Sequence, residues 1–177
     1  MRAYWRSDPA DVSVNAICQM AEISKPSLYR EFGGEDGLTL AVIDAYAEQV
    51  LSDIFARLGG GGGGDLDRTL KALIDFAGSD PKMENGCLFH KMQAGKHRLG
   101  PKTRLKIEEI EAAAQDGFRA FLDQRREAGD LTAAISVDDG ARYLAAQIGL
   151  AFTQRAAGAA PETVRRSLSL ALSVFER

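Results

Sequence analysis

Four polar side chains lie close together in the stretch 25–30, and two of them are cations: Lys25, Ser27, Tyr29 and Arg30. Cations and hydroxyls donate hydrogen bonds to phosphate oxygens, and side chains near the N-terminus of a helix in the major groove reach base edges. The stretch therefore favours contact with duplex DNA. The alternative interpretation is the solvated face of a small helix that only packs on a core.

The segment 13–32 would position these side chains, because it is predicted to form two short helices joined by a turn. Ser13 can cap the first helix by accepting a hydrogen bond from an unpaired backbone N–H. Apolar residues then recur at three- and four-residue steps, which predicts one buried face. These residues are Val14, Ile17, Cys18 and Ala21.

The second predicted helix follows a turn at residues 22–24. Ser24 can cap it, and Pro26 lies in its first turn, where the missing N–H costs little. Leu28 and Phe32 are four residues apart and are predicted to point inward. The polar side chains at 25, 27, 29 and 30 would then face outward.

The same segment resembles the N-terminal domain of the TetR family of bacterial transcriptional repressors. The family pattern has a Thr or Ser cap, an Ile-Ala pair, and then Val-Ser-Lys-x-(Ser/Thr)-Leu-Tyr-x-x-Phe. This chain has Ser13, Ile17 with Cys18, and ISKPSLYREF at 23–32, followed by Gly33, Gly34 and Leu38. The resemblance implies that operator DNA is bound by Ser13, Ser24, Lys25, Pro26, Ser27, Tyr29 and Arg30.

Two residues depart from the family pattern, and both departures add an acid. Glu22 stands where the family has Gly, and Glu35 stands where the long helix usually opens with a lysine. Residues 1–58 hold five cations against nine acids. Since a DNA-binding segment is usually basic, this balance is the main observation against the DNA-binding interpretation.

The rest of the chain is predicted to be helical, giving an all-α fold of eight or nine helices. Residues 1–7 resemble the end of a first helix, with Tyr4 and Trp5 packing inward and Asp8-Pro9 ending it. The family's first helix is longer and follows a basic arm, so we expect this sequence to lack those first turns. A long helix is predicted from Glu35 to Leu58, with Ile54 on its apolar face.

Further helices are predicted after a glycine linker at residues 59–64. The first of them is predicted to begin at a cap on Asp65. The others are predicted to cover about 85–96, 101–126, 136–157 and 161–175. No alternating strand pattern occurs. The predicted domains are a three-helix DNA-binding domain at 1–38 and a helical ligand-binding and dimerisation domain at 39–177.

The resemblance implies a small-molecule effector held in an apolar cavity of the second domain. The residues expected to line it are Phe76, Cys87, Phe89, Met92, Phe118 and Phe121. Core packing is the alternative role for the same side chains.

The last two helices carry broad apolar faces, which suit contact on two sides. The resemblance implies a four-helix bundle across a two-fold axis, matching a palindromic operator. The interface residues expected are Ala141, Leu144, Ala145, Ile148, Phe152, Val164, Leu168, Ala171 and Phe175.

Cys87 leaves two interpretations open. His90 and Lys91 follow one turn later, and cations near a helix start favour a thiolate, which suits an electrophile or redox sensor. Buried cysteine is also a common small hydrophobe. Cys87, His90 and His97 lack an evident fourth ligand, so no metal is expected.

Composition excludes several other classes. A chain of 177 residues with 45% hydrophobic and 27% charged residues is typical of a folded globular protein. No long apolar run or signal segment is evident, so a cytoplasmic protein without membrane contact is expected. No nucleophile elbow, HExxH motif or acid-histidine pair appears, so neither an enzyme nor a cofactor is expected. A helical dimeric adaptor is the alternative function, but it would not need the outward polar face at 25–30.

Overall fold

A computed structural model describes residues 1–7, 9–53, 56, 66–132 and 134–175. Nine α-helices and no strand occur in these residues, which confirms the all-α prediction. The helices are α1 (Arg2–Arg6), α2 (Val14–Ala21), α3 (Lys25–Phe32), α4 (Glu35–Tyr46), α5 (Leu66–Ser79), α6 (Leu88–Ala94), α7 (Pro101–Glu127), α8 (Val137–Ala156) and α9 (Pro161–Leu172). Among the described residues, no helix qualifies as a membrane span.

The described residues divide into two compact units. The first consists of Met1–Gln49 and Leu88–Ile110, and the second of Val50–Cys87 and Glu111–Arg177. The domains predicted from the sequence are two continuous ranges that meet after residue 38. In the structure, residues 88–110 group with the N-terminal helices, and α7 contributes residues to both units.

The core of the first unit forms around α3, α4 and the first helix. Leu28 of α3 is 1% exposed, and Ile43 and Tyr46 of α4 are fully buried. The rings of Trp5 and Tyr46 pack edge to face with centroids 5.0 Å apart. The predicted inward packing of the first helix is therefore confirmed.

The core of the second unit forms where α5, α8 and α9 pack together. Each helix carries an apolar stripe at three- and four-residue steps, and burial of these stripes stabilises the unit. The rings of Phe76 in α5 and Phe152 in α8 meet edge to face, with centroids 6.2 Å apart. In α9 the buried stripe consists of Val164, Leu168 and Leu172.

Several helix boundaries differ from the predicted ones. The helix expected at 85–96 is shorter, Leu88–Ala94, so Cys87 precedes it. Helix α9 ends at Leu172, and a 3-10 turn at Ser173–Phe175 follows. The helix predicted from Glu35 becomes a π-helical turn at Ala47–Leu51. Asp8, Ile54, Leu58, the glycine run 59–64 and the cap at Asp65 lie outside the described residues.

Candidate nucleic-acid interface

Residues 13–32 form the candidate DNA-reading segment, called the reading segment below. Both of its helices start at the predicted caps. The Ser13 hydroxyl accepts a hydrogen bond from the backbone N–H of Ala16 at 3.1 Å. Ser24 does the same for Ser27 at 3.2 Å, and Pro26 lies in the first turn of α3. The caps satisfy backbone donors that would otherwise lack a partner at the start of each helix. They therefore fix where α3 begins.

The turn between α2 and α3 depends on a left-handed residue at Glu22. Its φ of 54° is the only positive value at a non-glycine residue in the described chain. The N–H of Ile23 donates to the Cys18 carbonyl at 3.0 Å, closing the turn. Glycine adopts this conformation without the steric cost that a Cβ brings. The conformation explains the glycine of the family pattern at this position.

The exposed face of α3 carries the side chains expected to meet DNA. Lys25, Pro26 and Arg30 are exposed, and Tyr29 is 38% exposed. The Lys25 ammonium lies 5.4 Å from the centroid of the Tyr29 ring, a cation-π contact that holds both groups on one side of the helix. The face thus presents two cations and a phenol, all able to donate to phosphate.

Five positions of this segment differ from the expected burial, and three of them are half-buried where burial was predicted: Ile17, Cys18 and Phe32. Ser27, predicted to face outward, is half-buried, and its hydroxyl lies 2.9 Å from that of Ser24. Ala21, predicted on the buried face of α2, is exposed. It is the last residue of the helix, just before the left-handed turn, where the three- and four-residue step no longer predicts burial.

An acid takes part in this face. The Tyr29 hydroxyl donates to the Glu35 carboxylate at 3.1 Å, so the first residue of α4 holds the phenol of α3. Glu35 is exposed and belongs to the first turn of its helix, where a carboxylate is favoured by the exposed N–H groups. A phosphate at Tyr29 would therefore compete with Glu35 for the hydroxyl.

Residues 88–106 support the reading segment through contacts that the sequence pattern does not reveal. Lys91 donates to the Trp5 carbonyl at 2.7 Å, at the end of α1. Arg98 forms an ion pair with Asp11, two residues before the Ser13 cap. Asp36 accepts from the backbone of Lys102 and Thr103. The one feature of the sequence that points to these contacts is the run at 96–106, which holds five Lys or Arg residues and no acid.

The six residues expected to line an effector cavity are all buried, but they fall in different units. Phe76, Cys87, Phe118 and Phe121 belong to the second unit, and Phe89 and Met92 to the first. Side chains that pack in a core and side chains that line a cavity are both buried. Their role in ligand binding therefore stays a prediction.

Cys87 is 2% exposed and lies before the first residue of α6, not within the helix. A reactive thiolate needs solvent access as well as nearby cations. Its burial instead matches the alternative of a small core hydrophobe. Gly86 beside it has a φ of +73°, and a Cβ there would come 2.7 Å from the Phe152 carbonyl oxygen.

The predicted dimer faces belong largely to the core of the single chain. Seven of the nine side chains are buried against their own neighbours: Ala141, Leu144, Ile148, Phe152, Val164, Leu168 and Phe175. Ala145 and Ala171 are half-buried. An apolar stripe has the same spacing in a core and in an interface, so the part of these positions in a dimer stays a prediction. The large apolar side chains exposed in this region are Leu150, Leu170 and Val174.

Solved structures of known regulators share this fold, although the sequence matches no family model and no curated protein. A TetR family regulator from Agrobacterium tumefaciens superposes with a TM-score of 0.82 and 16% identity, over 99% of this chain and 94% of the other. The reduced form of NemR from Escherichia coli gives 0.78 and 17%, over 98% and 96%.

A third structure is a cysteine mutant of the TetR family regulator CifR in complex with 26-bp double-stranded operator DNA. It superposes with a TM-score of 0.78 and 18% identity, over 97% of this chain and 90% of that chain. At these identities the likeness concerns the fold. The chain therefore has the fold of the TetR family of transcriptional regulators, as the pattern at 13–32 predicted.

Proposed function

We propose that the protein is a DNA-binding transcriptional regulator that reads duplex DNA with α3. The observation that carries the proposal is the exposed face of this helix, where Lys25, Tyr29 and Arg30 follow the Ser24 cap. A helix fixed at its N-terminus and bearing cations and hydroxyls suits entry into the major groove. The CifR structure, with the same fold, contains operator DNA.

The regulator is proposed to act as a homodimer on a palindromic operator in the cytoplasm. A two-fold axis relates two copies of α3 to two half-sites about 34–36 Å apart on the duplex. The surface offered to a second copy is the exposed part of the last two helices and the following turn, with Leu150, Leu170 and Val174. Exposed side chains this large on adjoining elements favour burial by a partner.

Release of DNA is proposed to follow binding of a small apolar effector in the second unit, among side chains that include Phe76, Phe118 and Phe121. These three aromatic residues are at most 5% exposed. Helix α7 is continuous from Pro101 to Glu127 and has residues in both units, so it offers a covalent route for a conformational change. An effector that prefers one spacing of the two α3 helices would shift the population away from the DNA-binding form.

The proposal is tested by selecting duplexes from a randomised library with the purified protein. The expected result is enrichment of one sequence with two-fold symmetry, bound by two copies of the chain per duplex as measured by sedimentation. Enrichment of no sequence above a heat-denatured protein control would contradict the proposed function. A helical adaptor without a DNA-binding role would give that result.

A further inference from the structure

The charge of the first unit is distributed very unevenly between its two stretches of chain. Residues 1–49 hold four Lys or Arg residues and eight Asp or Glu residues, whereas residues 88–110 hold six and two. The second stretch therefore offsets the acidity of the first. Since phosphate binding needs positive charge, cations of residues 88–110 are the available source beyond α3 itself.

Lys102 lies beside the N-terminus of α4. Its backbone N–H donates to the Asp36 carboxylate at 2.9 Å, and its side chain is exposed. Asp36 follows Glu35, which accepts from the Tyr29 hydroxyl of α3. Lys102 is thus two contacts away from the exposed face of the reading helix, at a helix N-terminus whose dipole also favours an anion.

Arg98 contacts the chain just before α2. It pairs with Asp11, and the two side chains are 44% and 64% exposed. Ser13, the cap of α2, follows two residues later. A guanidinium has five N–H donors in a planar fork, so it can hold a carboxylate and a phosphate at the same time.

We propose that Arg98 and Lys102 bind phosphates of duplex DNA and extend the interface beyond the helix-turn-helix segment. The inference rests on the proposed DNA-binding function and names a surface outside the reading segment. In this arrangement α3 reads the bases. The two cations contact the backbone at the starts of α2 and α4, offsetting the acids Asp11, Glu35 and Asp36.

The test uses the duplex selected from the library and compares Arg98→Gln and Lys102→Gln with the matched control Arg104→Gln. Arg104 is exposed on the same helix as Lys102, two positions further, which is about 200° around the helix axis. Affinity is measured over a range of salt concentrations. Each of the first two substitutions removes one phosphate contact from each of the two copies on the duplex, so it is expected to lower the log–log salt slope by about 1.8, or about 0.9 per contact, while Arg104→Gln keeps the wild-type slope.

The substitution Asp11→Asn separates a phosphate contact from a structural ion pair. If Arg98 only braces the fold, Asp11→Asn and Arg98→Gln break the same pair and weaken binding alike. If Arg98 binds phosphate, Asp11→Asn removes a competing acid and strengthens binding. Circular dichroism checks that every variant keeps its helices.

The outcomes test phosphate binding by Arg98 and Lys102 separately from the proposed DNA-binding function. Wild-type slopes in both Arg98→Gln and Lys102→Gln, with a wild-type protein that binds the selected duplex, would overturn the inference and leave the proposed function standing. An equal decrease of slope in Arg104→Gln would also overturn it, since any cation would then serve. If the wild-type protein selects no duplex, the proposed function fails and the inference fails with it.

Discussion

Asp36 and Thr103 are 67 positions apart in the chain and are joined by hydrogen bonds. Its carboxylate accepts from the backbone N–H of Thr103 at 3.0 Å and from its hydroxyl at 2.8 Å. Thr103 is fully buried and lies in the first turn of α7. Asp36 thereby caps a helix to which it does not belong, joining the start of α4 to the start of α7.

Replacing Asp36 by Ala should destabilise the protein by about 1 kcal/mol at pH 7, since the first N–H groups of α7 lose their acceptor. Urea unfolding followed by circular dichroism measures the change. A decrease within the error of the measurement would show that water replaces the carboxylate without cost.

The same bond predicts a pH dependence. Burial alone would raise the pKa of Asp36, but the hydrogen bonds from Thr103 and Lys102 outweigh it and lower the pKa below its ordinary value. A lowered folded-state pKa gives stability that is present above the ordinary value, about 3.9, and lost as the pH falls through the folded value. The stability difference between wild type and Asp36→Asn should therefore shrink as the pH falls through the ordinary value and below it. A constant difference would contradict the assignment.

Glu22 combines backbone strain with an unfavourable charge, and two substitutions separate them. Glu22→Gly should raise stability by up to about 1 kcal/mol, because relief of the left-handed strain exceeds the entropy cost of glycine. Glu22→Gln keeps the strain and removes the charge, so it should raise DNA affinity at low salt without changing the melting temperature. Equal melting temperatures for the two variants would contradict the strain argument.

How much could be predicted from the sequence depended on the range of the interaction. The Ser13 and Ser24 caps, the Pro26 position and the inward Leu28 are set by neighbours within four residues, and the structure confirms them. The bond between Asp36 and Thr103 depends on how distant segments meet, which no local spacing reveals. The position of the basic run at 96–106 beside the reading segment was hidden for the same reason.

The spacing of apolar residues also did not distinguish the predicted dimer faces from core positions. The stripe containing Phe152 and Leu168 has the spacing of any apolar helix face, whether it packs within a chain or between chains. Only the structure shows that both side chains are at most 3% exposed, whereas Leu170 on the same helix as Leu168 is 77% exposed.

This difference predicts opposite effects of two substitutions. Leu170→Glu should leave the monomer folded but shift the dimer towards monomer, because a charge would have to be desolvated in the interface. Phe152→Ala should instead destabilise the fold by about 3–5 kcal/mol by opening a core cavity. Sedimentation measures the first effect and thermal unfolding the second. A fully dimeric Leu170→Glu protein would place the subunit contact elsewhere.

The two cysteines should differ in reactivity in an order set by exposure. Cys18 is half-buried and Cys87 buried, so a maleimide at neutral pH should label Cys18 faster in the native protein. Cys18→Ser and Cys87→Ser variants identify the labelled site by mass spectrometry. Faster labelling of Cys87, accompanied by release of DNA, would restore the thiol-sensor interpretation.

The binding of DNA by the exposed face of α3 is tested by Lys25→Ala. Lys25 is exposed and its ammonium lies over the Tyr29 ring, so its removal should leave the core of the fold intact. Lys71→Ala in α5 removes an exposed lysine from the second unit and is the matched control.

The measurement is the affinity of each protein for the selected duplex at fixed salt, alongside circular dichroism. We predict that Lys25→Ala weakens binding about tenfold or more, while Lys71→Ala binds as the wild type does, since only the first lysine contacts phosphate. Equal affinities of both variants and the wild type would contradict the assignment of α3 as the DNA-reading helix.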